Sequence, residues 1–543
     1  MGNWGINSLE RAGENALYLK PGVKLEPLVF GWYAWPHLIS PASLALNMAF
    51  RHQPLCESFL RNPAIHVAAM KDPALYGGPY LEIEESGRAQ VASLLADTNT
   101  RAAPLLQFAQ ALRQLQGDLH SKATGASLND AYGRLADPLR GCVELVYDGG
   151  HRPHVRLFEE LLYASGLTGA AGQQIDISLA PETSRAFFLS TPRLARPEAV
   201  RLDMPFDHAA VTTLAQMRTV PGALADVAAA LNADAQTMAA LRPFFTEEPP
   251  PRRDTDFSED GLRVRYFGHA CILIQTREVN ILLDPVLSWD DGYGDRHLNF
   301  LDLPDRIDIV IISHNHQDHL CPELLMQLRH RIGRVIVPAN NPGCPADPSI
   351  ALLLRSLGFR DIVTVNPLDR LDFPGGFFAS LPFTGEHADL DIYSKQAILI
   401  EILGRRLVFL VDSDGVDPVL YDRVAAVFGR ADILFLGMEC HGAPLTWLYG
   451  PLLSRPISRR DDESRRLSGS DAARAKEALA RLGGRQVFVY AMGQEPWLRY
   501  LMGLQYGPDS IQLSQAKAFV DWCNQSGTPC EQLFGGRDLE LVA

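Results

Sequence analysis

Ser313-His314-Asn315-His316-Gln317-Asp318-His319 places four metal-capable side chains in the pattern His-x-His-x-Asp-His. The run before it, Asp308-Ile309-Val310-Ile311-Ile312, is short and apolar, which predicts a buried strand. A helical pattern starts near Pro322, a residue favoured in the first turn of a helix. Residues two apart in an extended segment face the same way, so His314 and His316 can grip one metal ion. Asp318 and His319, past the turn, can serve a second. Imidazole together with carboxylate suits zinc, iron or manganese. A solvated polar turn is the plain alternative, but it requires neither the buried strand nor this spacing.

Two ions need further donors, and few remain downstream. Beyond His330 the only histidines are His387 and His441. His387 lies in Thr384-Gly385-Glu386-His387-Ala388-Asp389, after the strand-like run Phe377 to Phe383, and either Glu386 or His387 can bind there. His441 closes Gly437-Met438-Glu439-Cys440-His441, after the strand pattern Asp432 to Leu436. Glu439, two residues earlier, is expected on the same side as His441. Val408-Phe409-Leu410-Val411-Asp412-Ser413-Asp414 sets Asp412 at the end of an apolar strand, where its two oxygens can bridge two ions. Asp414 is its competitor.

The rest of the chain bounds the reading. At 543 residues it is too long for one core, and two domains are the natural expectation. A net charge of −14 argues against a nucleic-acid surface. No uninterrupted apolar run reaches the roughly 18 residues of a membrane span. The most apolar stretch, Ala397 to Val411, is broken by Glu401, Gly404, Arg405 and Arg406 and reads as a hairpin. Met1-Gly2-Asn3-Trp4-Gly5 lacks the basic head and apolar core of a signal peptide, and the eight cysteines form no Cys-x-x-Cys pair. Reduced thiols in the cytoplasm are therefore expected.

Residues 1–247 read as an α+β domain: helices over Ala42 to Phe50, Arg101 to Leu119, Val155 to Ala164 and Ala223 to Met238, with a strand over Cys142 to Tyr147. Residues 248–258, including Glu248-Pro249-Pro250-Pro251, have the composition of an extended linker. Residues 259–543 then alternate strands and helices, from Val264 to Ile274 and Val279 to Leu283 onward, in the manner of an αββα sandwich. The fold class is α+β in two domains.

From residue 259 onward the chain resembles the metallo-β-lactamase superfamily. The carrying motifs are Gly268-His269-Ala270, Ile281-Leu282-Leu283-Asp284-Pro285, the run His314 to His319, and Asp412. The resemblance implies that Asp284 steadies the ligand loop and that His269 sits near the site or in the core. Over its whole length the chain resembles a narrower group, the di-iron β-hydroxylases of non-ribosomal peptide assembly, typified by the hydroxylase of chloramphenicol biosynthesis. Leu25-Glu26-Pro27-Leu28-Val29, Trp32-Tyr33-Ala34-Trp35 and Pro36-His37-Leu38-Ile39 look like that group's opening.

In that family the third-motif ligand is a Glu, which matches Glu386. The resemblance implies that His314, His316 and Glu386 hold one iron, that Asp318, His319 and His441 hold the other, and that Asp412 bridges them. Glu386 and Asp412 are then the catalytic carboxylates. Their charge favours iron over the alternative, zinc. The implied reaction is a monooxygenation in antibiotic biosynthesis: two iron ions of the Fe–O–Fe type, O2 as co-substrate, and a hydroxyl placed at Cβ of an aminoacyl thioester on a carrier domain. A reductase or ferredoxin would supply electrons, and a homodimer through the N-terminal domain is expected. Ser454 to Arg466 carries five Arg beside Asp461, Asp462 and Glu463. It is a candidate docking face for the carrier, or a loop whose charges pair among themselves.

Overall fold

A computed structural model describes residues 16–542, apart from 73–74, 76–77, 123, 168–171, 252, 254, 290–296 and 504–505. The reading of Met1 to Gly5 lies outside the described residues. Residues 263–539 build two seven-stranded sheets. In the first, Asn280–Leu283, Ile307–Ile311, Ile332–Pro338 and Ile362–Val365 run parallel. Ile272–Gln275, Arg263–Tyr266 and Arg537–Leu539 complete it antiparallel. The second runs in the spatial order Arg370–Phe373, Gly376–Leu381, Ala397–Ile402, Arg405–Phe409, Ile433–Gly437, Gln486–Tyr490, Cys530–Gln532. The hairpin expected between Ala397 and Val411 is present, and its turn uses Leu403 and Gly404 at φ of 49° and 75°.

Side-chain alternation assigns each sheet two apolar faces. Ile272, Ile274, Ile281, Leu283 and Ile311 meet Ile398, Ile400, Phe409, Phe435 and Phe488 between the sheets. Leu399, Val408, Leu434 and Val487, on the other face of the second sheet, pack on Val419–Phe428, Ala472–Leu482 and Ile511–Gln525. Leu273, Leu282 and Val310, on the outer face of the first, join one core with Trp32, Tyr33, Trp35 and Phe188 of the N-terminal half. The aromatic opening Trp32 to Trp35 is thus core, with Trp32 stacked on His52 at 3.8 Å.

The N-terminal half holds a four-stranded sheet of Trp32–Tyr33, Lys24–Val29, Gln173–Ser178 and Ala199–Asp203, with helices around it. Two segments differ from the expected pattern. Val155 to Leu157 belong to a strand, Pro153–Leu157, because the turn after Asp148 folds it back onto Val143–Tyr147; the helix starts only at Glu159. The Ala-rich helix is two helices, Leu224–Leu231 and Ala235–Leu241. Asn232 takes a left-handed conformation that closes the first, and the Asp234 side chain caps the second.

A buried ion network joins the two halves beside the metal motif. Glu26, on the strand Lys24–Val29, accepts from Arg185 at 2.9 Å and from Arg193 at 2.8 Å. Arg185 also donates to Glu323 at 2.5 Å, on the helix Pro322–Leu328 that follows the motif. The indole of Trp289 donates to the other Glu323 oxygen at 2.9 Å, and Arg185 lies over the Tyr500 ring. Burial works to raise the Glu26 carboxyl, but Arg193 and Arg185 overcome it and hold it down to about 2, from 4.5. Removing one member strands the opposite charge in the core. We expect Glu26→Gln to cost about 3–5 kcal/mol in denaturant unfolding. The Glu26 contribution is full above its unfolded value and is lost as pH falls from 4.5 through about 2. Urea titrations at pH 7 and at low pH, wild type against variant, check both statements: the gap narrows in acid.

Candidate metal centre

The site is assembled at strand ends of both sheets. The motif leaves Ile307–Ile311, which is held between two parallel neighbours. Asp284 ends one of those neighbours and fixes the motif. Its carboxylate accepts from the Ser313 N–H at 2.7 Å, the Ser313 hydroxyl at 2.5 Å and His319 Nδ1 at 2.9 Å. Proton positions follow. The Ser313 hydroxyl spends its hydrogen on Asp284, so its oxygen accepts from His314 Nδ1 at 2.9 Å. Both His314 and His319 thereby turn Nε2 inward, toward the carboxylates. His269 is fixed in the same way. Its Nδ1 accepts from the Gly493 N–H at 3.3 Å, so Nε2 carries the proton and donates to Asp318 at 3.1 Å.

Glu386 arrives from the loop after Gly376–Leu381 on strained backbone. Gly385, Glu386, Ala388 and Asp389 have φ of 78°, 65°, 53° and 58°. A Cβ on Gly385 would meet Asp414 Cβ at 2.3 Å, so only glycine allows this path. Glu386 Oε1 lies 2.5 Å from His316 Nδ1, and Oε2 lies 3.7 Å from His314 Nε2. Asp412, two residues beyond Leu410 and preceded by Val411 at φ 52°, sets its carboxylate 2.9 Å from His319 Nε2 and 3.9 Å from His314 Nε2. Asp414 turns away and pairs with Arg474.

These residues form three overlapping ligand groups: His314, His316 and Glu386; His314, His319 and Asp412; His269, Asp318 and His319. The donor set fits metal ions on an observation of its own. His314 Nε2, His319 Nε2, Glu386 Oε2, His387 Nε2 and Asp412 Oδ1 are buried and have no hydrogen-bond partner. Orphaned buried polar atoms are rare, and here five face one space. The surroundings are dry: Asp318 and Asp412 each expose 6% of their surface and Glu386 7%. Burial and then its charged neighbours act on His319, and Asp412 and Asp318 leave it raised well above the usual imidazole range. The carboxylates thus draw positive charge to this spot.

His441 departs from expectation. Its side chain is exposed and belongs to none of the three groups; its carbonyl accepts from Gln512 at 2.6 Å. The physical reason is local. The Cys440 N–H bonds to the Met438 carbonyl at 2.8 Å, a tight turn that ends the strand's alternation. Glu439 is the member of this segment that faces the cluster. Its carboxyl, bound by the Tyr506 hydroxyl, is raised well above its usual range by burial and by the charges of Asp412, Asp318 and Glu386. Reading the sequence also missed Tyr449. Fully buried, its hydroxyl stands 3.0 Å from His316 Nε2 and 2.8 Å from His387 Nδ1. A lone tyrosine in a helical run carries no local signal of such a place.

Comparison with known proteins adds the following. Residues 18–249 match a family model described as the diiron non-heme β-hydroxylase N-terminal domain, and residues 263–368 match a β-lactamase superfamily domain. The 4-amino-L-phenylalanyl-[CmlP-peptidyl-carrier-protein] 3-hydroxylase of Streptomyces venezuelae is 35% identical over 533 residues, 96% of this chain and 99% of its own. The crystal structure of CmlA, a diiron β-hydroxylase from Streptomyces venezuelae, matches with a TM-score of 0.90 at 34% identity, covering 97% of this chain and all of that one. A mutant of that hydroxylase matches with a TM-score of 0.88 at 34% identity, over 97% and 100% of the two chains.

Two substitutions test the site's construction. Asp284→Asn removes the acceptor that orients Ser313 and His319. It should weaken metal binding about 10–100-fold in a chelator competition. His441→Ala should leave metal stoichiometry unchanged by elemental analysis.

Proposed function

The chain belongs to the diiron non-heme β-hydroxylase family, and on that premise we propose that it hydroxylates Cβ of an aminoacyl group carried as a thioester on a peptidyl carrier domain. It is an enzyme, a di-iron monooxygenase. The observation that carries this reading is the set of converging, unpartnered donors with a carboxylate, Glu386, in the third position. His314, His316 and Glu386 hold one iron in this reading. Asp318 and His319 would hold the other, and Asp412 would serve both. His441 is not carried into the set, because its side chain is exposed.

The two irons supply the reduction of O2 and the transfer of one oxygen atom to an unactivated C–H bond, with the second atom leaving as water. The chain's own residues do the rest. Asp284 and Ser313 orient two imidazoles before any ion binds. His269 holds a proton at Nε2 and donates it in a hydrogen bond to the Asp318 carboxylate. The burial of Asp318, Glu386 and Asp412 keeps bulk water from the carboxylates and so strengthens each electrostatic contact among them.

The reaction draws two electrons from outside, from a donor of reductase or ferredoxin type. Support for a docking face comes from Arg459–Ser464, an exposed helix whose flank reaches the site. Asp462 accepts from the Thr446 N–H at 2.9 Å, and the Arg465 side chain donates to the Ala388 carbonyl, two residues from Glu386, at 2.9 Å. Arg459 pairs with Glu463, while Arg455 and Arg460 are exposed beside it. A homodimer is part of the same reading, and light scattering tests it. All eight cysteines are free, and among the described residues no helix is long and apolar enough to cross a membrane; both suit an enzyme of the cytoplasm.

The decisive experiment combines metal analysis with turnover under labelled O2. The expected result is two irons per chain and one oxygen atom, drawn from O2, in the carrier-bound aminoacyl group. Two zincs with thioester hydrolysis would overturn the reading in favour of a superfamily hydrolase. Charge reversal at Arg455 and Arg460 should raise KM for the carrier-bound substrate several-fold while leaving iron content intact; unchanged kinetics would remove the docking face.

A further inference from the structure

His387 and Tyr449 stand in the site with no role assigned. They are close enough to Glu386 and His316 to form a ring. Glu386 Oε1 lies 2.5 Å from His316 Nδ1, and His316 Nε2 lies 3.0 Å from the Tyr449 hydroxyl. That hydroxyl lies 2.8 Å from His387 Nδ1, and His387 Nε2 lies 3.0 Å from Glu386 Oε2. Every member is buried, and His387 Nε2 and Glu386 Oε2, though 3.0 Å apart, form no hydrogen bond with each other or with any other group.

Hydrogen counting fixes the ring's direction once His316 is a ligand through Nδ1, the reading on which this inference rests. A neutral imidazole that gives its Nδ1 lone pair to a metal carries its proton on Nε2. That proton has one acceptor in reach, the Tyr449 oxygen. Tyr449 has a single hydrogen, and with its oxygen already receiving from His316, that hydrogen goes to His387 Nδ1. His387 Nδ1 is then an acceptor, so a neutral His387 carries its proton on Nε2, facing Glu386. A nitrogen that bears hydrogen has no lone pair for a metal.

We infer that Tyr449 is a positioning residue: it sets the tautomer of His387, leaves the proton of that residue on Nε2 beside the Glu386 carboxylate, and bars it from ligating. The neighbouring pair Glu386-His387, either of which can bind by sequence alone, is thereby resolved by a third residue 62 positions from His387. The backbone agrees. Glu386 and Ala388 sit at positive φ on either side of His387, and Lys395 Nζ and Arg465 Nε donate to the Gly385 and Ala388 carbonyls at 3.2 and 2.9 Å. The loop therefore presents both side chains in one fixed arrangement.

The test uses full-length protein with 15N-labelled histidine, loaded with zinc for a diamagnetic spectrum and with iron for optical work. His316 should show a metal-shifted Nδ1 and a protonated Nε2, and His387 a protonated Nε2 with no metal shift. Assignments come from single-histidine variants. A His316 without metal contact would overturn the ligand reading, and this inference with it. A ligated His316 beside a His387 that is metal-shifted at Nε2 or protonated at Nδ1 would overturn this inference alone.

Tyr449→Phe keeps the packing and removes the hydroxyl. Its His387 should lose the single tautomer, its oxidised iron bands should shift, and its metal affinity should fall about 10–100-fold. His387→Gln, which retains an N–H donor, should hold two irons; loss of one iron on that substitution would overturn the assignment. A Tyr449→Phe protein with unchanged histidine signals and optical bands would do the same.

Discussion

The Asp284 carboxylate is the fixed point of this molecule. It sits at the end of a central strand, at φ 37°, and accepts three hydrogen bonds from Ser313 and His319. Because Ser313 passes the constraint to His314, one acidic side chain sets two imidazoles at once. A metal centre assembled this way is oriented before it is filled, so little reorganisation is left for binding. The constraint works only because the strand register is fixed, with Leu283 opposite Ile311 and both buried. A one-residue slip would turn the donors to the other face.

The N-terminal half matters for a related reason. Its aromatic core is continuous with the outer face of the first sheet, and its ion network ends on Glu323, in the first turn of the helix after the motif. Buried ion networks contribute little net stability against an apolar alternative, but they fix geometry, since any misplacement leaves a charge unpaired. Here the geometry fixed is the seating of the N-terminal half against the helix that follows the motif.

The loops of the site are strained where they carry chemistry. His269, Asp284, Glu386 and Val411 all have positive φ, a conformation that costs non-glycine residues free energy. Each immediately precedes or is itself a residue that faces the donors, and His269, Asp284 and Val411 are held by hydrogen bonds with packed neighbours. This pattern belongs to sheet ends, where the alternation of the strand stops and a side chain must be aimed by the turn. It also explains where reading the sequence failed. At Met438 to Cys440 the turn tightened, Glu439 took the inward side and His441 swung to solvent.

Much was legible in order of distance along the chain. The motif, the strands that flank it, the hairpin at Ala397 to Val411 and the helix from Pro322 follow from local patterns of apolar and turn residues, which the sheet register preserves. Asp412 could be chosen over Asp414 by its place at a strand end, and the structure turns Asp414 to Arg474 for a reason, a salt bridge, that lies 60 residues away. The sequence by itself determined the donor inventory, the two-sheet sandwich and the family. Only the tertiary structure decided how neighbouring candidates are placed: it sets Glu386 and His387 side by side in the cluster, and it turns Glu439 inward where His441 is exposed. That choice depends on φ at a turn and on partners such as Tyr449 and Tyr506, brought there by folding and carrying no mark of it in their own neighbourhood.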